Sequence, residues 1–414
     1  MSESSQPKTP PPIGPEVLSG VKVVEFAHVI AGPLAGTLMA DLGADVVHVE
    51  EPTTGDPGRK QGPPKDDTYL WWKVSARNKR SVTLDLRTPE GQQLAHKLAA
   101  WADVVIVNMR YDTLAKWHLD FESLNKVNPK LVMLQITGFG ANTSMRNAPG
   151  FGKVGEARSG VVYLTGFQDG PPVHTGFSHA DTVTALMGAF AIQAALYRRE
   201  VDPEFRGEWI DLALFESLFR LVEWQVIVYD QLGIPPERAG NRLAVAPAAV
   251  INTYKTGDGH WLTVTSGTPR SVWNIAAAVG VPQEDVATVE LQAANADRLD
   301  EALRSWIGSR DLEECTTKLA ELEVTASPIF SMAEIMNDPI YAERNDIITV
   351  DDPDLGAVQM QGVVPRLERH PGHVWRTGPA LGADDEIVYK EYLGLDDAEF
   401  DRLKENGTIG RRSP

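Results

Sequence analysis

The sequence predicts an α/β protein, with a parallel sheet covered by helices on both faces and a smaller α+β domain after it. Three observations predict this. Short apolar runs alternate with amphipathic stretches from residue 21 to residue 136. Residues that start and stop helices stand between them. Past Gly233-Ile-Pro-Pro236 the composition shifts and a hairpin pattern takes over. Strands and helices that alternate at short spacing are the pattern of a parallel sheet.

Val21-Lys-Val-Val-Glu-Phe26 is an apolar run of strand length. A turn carries the chain to Pro33, in the first turn of a helix from Leu34 to Leu42 that Gly43 ends. Ala44-Asp-Val-Val-His-Val49 is the next strand, and the three form a βαβ unit. Ser81 to Leu86 is strand-like. Thr88 caps a helix that opens at Pro89 and runs to Trp101. Asp103-Val-Val-Ile-Val-Asn108 and Leu131-Val-Met-Leu-Gln-Ile136 are strands around a helix from Phe121 to Asn128, capped by Asp120. Asp181 to Tyr197 is Ala-rich and apolar nearly all round, the signature of a deeply buried helix. Trp209-Ile-Asp-Leu-Ala213 is a strand, and Phe215 to Leu232 reads as one long amphipathic helix.

The second region begins with a hairpin, Val250 to Tyr254 and Trp261 to Thr265, around Gly257-Asp-Gly259. Helices follow at Ser271–Val279, Asp297–Ser309 and Leu312–Leu322, then strands at Ile347–Val350 and Val358–Val364 and a last helix, Asp397–Asn406. The expected division is a disordered leader over 1–17, a large domain over 18–234, a small α+β domain over 235–330, and a segment over 331–414 that returns to the large domain.

Composition narrows the function. A chain of 414 residues suits two domains. Lys plus Arg is 39 and Asp plus Glu is 57, a net charge of −18 that disfavours a nucleic-acid partner. The single cysteine, Cys315, leaves no disulfide framework and no thiolate-rich zinc site. His370 and His373, the closest histidine pair, flank Pro371 in a loop pattern, so no metal is expected. No apolar run approaches the roughly 20 residues that cross a bilayer. Met1 to Pro15 is Ser/Pro-rich without the apolar core of a signal peptide. The expectation is a soluble cytoplasmic enzyme that meets neither membrane nor nucleic acid.

Three places could carry chemistry. The turn His28-Val-Ile-Ala-Gly-Pro33 enters a helix and either binds an anion through its backbone N–H groups or is a tight packed turn. It is not a dinucleotide fingerprint, because Gly32 and Gly36 are four apart with Pro33 between. Asn78-Lys-Arg-Ser81 is a basic cluster before a strand, either a solvated loop or a site for a phosphate or carboxylate. Asp181, at Ser178-His-Ala-Asp181, either caps the Ala-rich helix or serves as an ionised nucleophile toward an acyl group. The Gly-x-Ser-x-Gly elbow of serine hydrolases is absent.

Four blocks together resemble the family III CoA-transferases. They are Gly20-Val-Lys-Val-Val-Glu-Phe26 through Ala31-Gly-Pro33 to Leu42-Gly-Ala-Asp-Val-Val-His-Val-Glu50; Asn78-Lys-Arg-Ser-Val-Thr-Leu-Asp-Leu86 with Pro89-Glu-Gly91; Tyr163-Leu-Thr-Gly166 through Gly170-Pro-Pro-Val173 to Ala180-Asp181; and Ile210-Asp-Leu-Ala-Leu-Phe-Glu-Ser217. The resemblance covers about 18 to 410 and implies a Rossmann-like large domain in an interlocked homodimer. It also implies an aspartate nucleophile at Asp181 that passes through an acyl anhydride and an aspartyl-CoA thioester. No cofactor is held permanently; coenzyme A and acyl-CoA are substrates, with succinyl-CoA a candidate donor and a carboxylic acid the acceptor. By position, Val29 and Ala31 are implied as CoA contacts near the thiol end, and Leu84 and Arg87 as adenosine and phosphate contacts. Asn108 and Met109 match pantetheine or diphosphate contacts, and Lys116 falls where the family often has an arginine or histidine.

The sequence departs from the family at Glu51, where a basic residue often stands. It departs again at Phe151 and Gly152, where oxalate-specific members carry Tyr-Glu, and at Ser266-Gly-Thr-Pro269, which lacks the glycine-rich lid. The alternatives are an acyl-CoA racemase of the same superfamily, which needs a histidine base after Gly138-Phe-Gly140 that this chain lacks, and a nonenzymatic CoA-binding protein.

Overall fold

The computed structural model describes residues 15–243 and 245–412. They fall into two compact units, one from Met1–Val161, Thr175–Glu223 and Ala342–Pro414, the other from Val162–His174 and Trp224–Tyr341. These bounds differ from the expected ones. Residues 162–174 group with the second unit because they bond to it: the Gly240 N–H donates to the Gly166 carbonyl at 2.9 Å and Arg238 donates to the Tyr163 carbonyl at 3.0 Å. Residues 1–14 of the expected leader lie outside the described residues, whereas Pro15 and Glu16 are engaged, by His370 at 2.9 Å and His373 at 2.6 Å.

The first unit is built on six parallel strands: β1 (Lys22–Phe26), β2 (Asp45–Glu50), β3 (Lys79–Thr83), β4 (Val104–Val107), β5 (Val132–Thr137) and β6 (Glu208–Ala213), in spatial order β3-β2-β1-β4-β5-β6. That is the doubly wound order of a Rossmann-like sheet, whose strand direction of winding reverses between β1 and β4. Both faces are buried, which explains the apolar runs. Val24, Phe26, Val105 and Val107 point to one face, packed against α2 (Pro89–Trp101), α3 (Phe121–Val127) and the last helix, Asp397–Glu405. Val23, Val104 and Ile106 point to the other, against α1 (Ala31–Asp41) and α5 (His179–Val201). Period-two alternation therefore divides each strand between two cores.

Helix starts follow the cap residues. Thr88 accepts from the Gly91 N–H and Asp120 from the Ser123 N–H. Gly43, at φ +99°, turns the chain out of α1. Two expectations are corrected. The stretch Phe215–Leu232 is two helices, α6 (Leu214–Arg220) and α7 (Gln225–Leu232), separated at Glu223 with φ +51°. Apolar residues continue across the break at Glu223, which no glycine or proline announces. The 23-residue α5 is buried on one side only: Ala185, Gly188 and Ile192 lie on the sheet, with Gly188 against Leu134, while Leu186, Phe190 and Tyr197 are exposed. This helix is also long and apolar enough to cross a membrane by length and composition, a test that core helices pass as well.

The second unit holds an antiparallel sheet of β7 (Val250–Lys255), β8 (Trp261–Ser266) and β9 (Ala326–Pro328), in order β9-β8-β7. Its core packs Tyr254, Leu262 and Val264 against α8 (Pro269–Val279), α9 (Ala296–Gly308) and α10 (Leu312–Glu321). Cys315 is buried in that core.

Candidate active site

In an open parallel sheet, the crevice at the carboxyl ends of the strands, where the winding reverses, is left uncovered by helices. Here that place is a cleft of about 640 Å³ within the first unit. It is lined by His28, Val29 and Ile30 after β1, Asn108, Met109 and Arg110 after β4, Ile136 to Gly138 at the end of β5, and Asp181.

Asp181 lies in the first turn of α5, three residues after the N-cap Ser178, so it is not the cap itself. Ser178 makes no capping bond; instead the buried Glu156 of α4 (Gly152–Arg158) accepts the His179 N–H at 3.2 Å. Lys153 closes this corner, donating to both Glu156 oxygens and to the Thr175 and Phe177 carbonyls, each at 3.0 Å. Glycine makes the approach of α4 possible. A Cβ at Gly152 would stand 1.9 Å from Asp181 Oδ2. A Cβ at Gly138 would stand 2.7 Å from the Gly150 Cα, so two glycines pack face to face and bring the Phe151 turn down beside β5. Burial, joined by the Glu156 charge, raises the Asp181 pKa to about 6, against the opposing pull of its own N–H and Lys153. Expected to stay ionised through the helix terminus, this carboxylate is held closer to protonation than that reading implied.

The opposite wall is organised differently. Val29 has φ +68°, a left-handed conformation that costs a β-branched residue roughly 1–3 kcal/mol. Its N–H donates to both oxygens of Asp56 at 3.0 Å. The preceding residue is clamped as well, because Asn108 accepts the His28 N–H at 3.0 Å and donates to the His28 carbonyl at 2.7 Å. Behind Asp56 stand His48, at an ion-pair distance of 3.2 Å, then Glu25 at 2.8 Å from His48, then Lys79 at 2.9 Å from Glu25. Burial alone would lower the His48 pKa, but Asp56 and Glu25 outweigh it and raise it to about 9. Burial alone would raise Asp56, but His48 outweighs it and holds the carboxyl at about 2. Burial holds the His28 imidazole below its ordinary pKa despite the Asp56 charge, so it is neutral at pH 7.

Of the residues expected to bind CoA, the structure brings Val29, Ala31, Asn108 and Met109 into the cleft with Asp181. Leu84, Arg87 and Lys116 do not line it. The Leu84 side chain is buried in the sheet core. Arg87 is exposed and paired with Asp85 at 2.8 Å and Glu51 at 3.1 Å, so the departure at Glu51 has a partner of its own. Lys116 ends the helix Tyr111–Lys116 on the surface. The basic cluster at 78–81 is largely built into the fold: Lys79 is fully buried on Glu25, Asn78 bonds Asp41 at 2.9 Å, and the partly exposed Arg80 pairs with Asp45 at 3.0 Å. Among the described residues no group of His, Cys, Asp or Glu could hold a metal ion.

Glu25, His48, Asp56, Lys153 and Glu156 escaped the sequence reading. For the first two a signal existed, since each is a charged or titratable residue inside an apolar strand run, where it must be paired. Glu156 and Lys153 carried no local signal.

The model for CoA-transferase family III matches residues 18–385. The chain is 37% identical over 401 residues to the succinyl-CoA–D-citramalate CoA-transferase of Chloroflexus aurantiacus, covering 95% of this chain and 98% of that one. It is 33% identical over 388 residues to the succinate–glutarate CoA-transferase of Agrobacterium fabrum, covering 90% and 95%. A CaiB/BaiF family protein from Brucella suis superposes with a TM-score of 0.80 at 31% identity, over 92% of this chain and all of that one.

Proposed function

The chain belongs to CoA-transferase family III, an enzyme family, and from that premise we propose that it moves CoA from a dicarboxylic acyl-CoA, such as succinyl-CoA, to a carboxylic acid with Asp181 as the covalent carrier. The observation that carries the reading is Asp181 itself, facing the switch-point cleft with Gly152 leaving room at its carboxylate. An Asp181 oxygen attacks the thioester carbonyl; the C–S bond breaks and CoA leaves as thiolate, giving a mixed anhydride. The thiolate then attacks Cγ of Asp181, which releases the donor acid and leaves an aspartyl-CoA thioester. The acceptor carboxylate attacks Cγ, expels the thiolate and forms the second anhydride. Attack of the thiolate on the acceptor carbonyl regenerates the Asp181 carboxylate. No proton is gained or lost in the cycle, so a lone carboxylate without an acid–base partner suffices. The raised pKa makes it a stronger nucleophile than an ordinary carboxylate while leaving it mostly ionised at pH 7. The apolar lining of Val29, Ile30, Met109 and Leu214 keeps water from the anhydride.

Arg110 supports a dicarboxylic donor. Of the cations lining the cleft, Lys153 is paired with Glu156 and Arg146 with Asp112, whereas the Arg110 guanidinium has no partner among the described residues. A second substrate carboxylate would pair with it. The reading includes a cytoplasmic enzyme that works as a homodimer, consistent with the exposed apolar stripe Leu186, Phe190 and Tyr197 on α5. The test is isotope exchange between labelled succinate and succinyl-CoA. The wild-type chain exchanges label, and Asp181→Ala loses at least about a thousandfold of that rate. Undiminished exchange in that variant contradicts the assignment. Solvent deuterium entering the α-carbon without any acceptor acid would favour a racemase instead.

A further inference from the structure

We propose that Asp56 is a positioning residue for CoA: it holds Val29 in a left-handed turn and thereby fixes the cleft wall against which the thiol end of CoA docks. The inference rests on the CoA-transferase reading of the cleft. Val29 needs a holder, because an L-residue branched at Cβ does not keep φ +68° by preference. Asp56 is the holder, since both of its oxygens lie 3.0 Å from the Val29 nitrogen. Asp56 cannot give way, because its own N–H is bound by Glu50 at 2.9 Å and its Oδ1 accepts the Gly58 N–H at 2.7 Å.

The charges behind it alternate in sign, Lys79, Glu25, His48 and Asp56, and none is more than 1% exposed. Buried pairs of this kind add little stability over apolar residues of similar volume. What this row does is end on one backbone N–H, that of Val29, in the lining of the cleft that Asp181 also lines. The row is also built into the scaffold: Glu25 and His48 are direct partners on β1 and β2, and Gly36 of α1 is kept small by the Glu25 carboxylate, which a Cβ there would meet at 1.6 Å.

Glycine supplies the test, because it adopts positive φ without help. The full-length chain is compared as wild type, Asp56→Asn, Val29→Gly and the double variant, by calorimetric CoA affinity and by acyl-CoA kinetics. Asp56→Asn weakens CoA binding about tenfold and raises KM for acyl-CoA alike, with kcat held within about threefold. In the Val29→Gly background the same Asp56→Asn change alters CoA affinity by less than about threefold, because nothing is left to hold. An equal loss in both backgrounds, or none in either, overturns the proposal. So does a fall in kcat with KM unchanged.

Hydrogen exchange of the wild-type chain needs no variant. The Val29 amide, bonded to a buried carboxylate, exchanges slowly, and exchange at the rate of a free amide overturns the proposal. A wild-type chain that binds CoA but transfers none defeats the functional reading, while the Asp56 comparison, read on CoA affinity, still stands or falls by itself.

Discussion

Two aspartates stand at one cleft, Asp181 in its lining and Asp56 buried behind Val29, and their surroundings give them opposite characters. Asp56 receives the Val29 and Gly58 N–H groups and the charge of His48, and its pKa is drawn down to about 2. Asp181 has its own N–H and the opposing charges of Lys153 and Glu156, and burial raises it to about 6. Both lose water; only one is given donors in return. The saturated carboxylate is fixed and unreactive, and the under-provided one keeps lone pairs for an electrophile. Residue type does not separate the fixed aspartate from the proposed nucleophile, whereas the donors around each carboxylate do.

The contrast breaks most easily at Gly152. An alanine there would push its methyl into the Asp181 carboxylate, and a displacement near 1 Å at a reacting group costs about a hundredfold in rate. Gly152→Ala is therefore expected to lower kcat about a hundredfold while CoA affinity, which the proposal ties to Val29, changes little. Stopped-flow or steady-state kinetics beside calorimetry checks it. A variant with full kcat would show that the carboxylate works from another position.

The pH profile sharpens the contrast with a smaller effect. The attacking form of Asp181 is the anion, so kcat/KM rises with pH through about 6 and falls about tenfold for each unit below it. Glu156→Gln removes one negative charge, which lowers the Asp181 pKa and moves the acid limb to lower pH by less than about one unit. A limb that stays in place would show that burial alone sets the shift.

Much of the scaffold was legible because its physics is local. The caps at Thr88 and Asp120 and the turn at Gly43 each act within a few residues, so the sequence locates them. The position of Asp181 at the opening of α5 was legible in the same way. Its setting was not. The difference between a cap and a first-turn carboxylate is three residues, and Glu156, which takes over the capping of α5, is 23 positions away from the N–H it accepts. Val29 shows the other limit: nothing about a valine signals positive φ, and its holder is 27 residues downstream. The exposed side of α5 misled for a different reason. Apolar residues stand all round this helix, yet within the chain only the face toward the sheet is covered, so composition alone did not report which sides are buried.

The central claim is that Asp181 becomes covalently loaded. The direct measurement is mass spectrometry of the chain incubated with succinyl-CoA, quenched with hydroxylamine and digested. The account predicts a hydroxamate at Asp181 and none at Asp56, which is buried behind Val29. A hydroxamate at any other residue, with Asp181 unmodified during turnover, would contradict it.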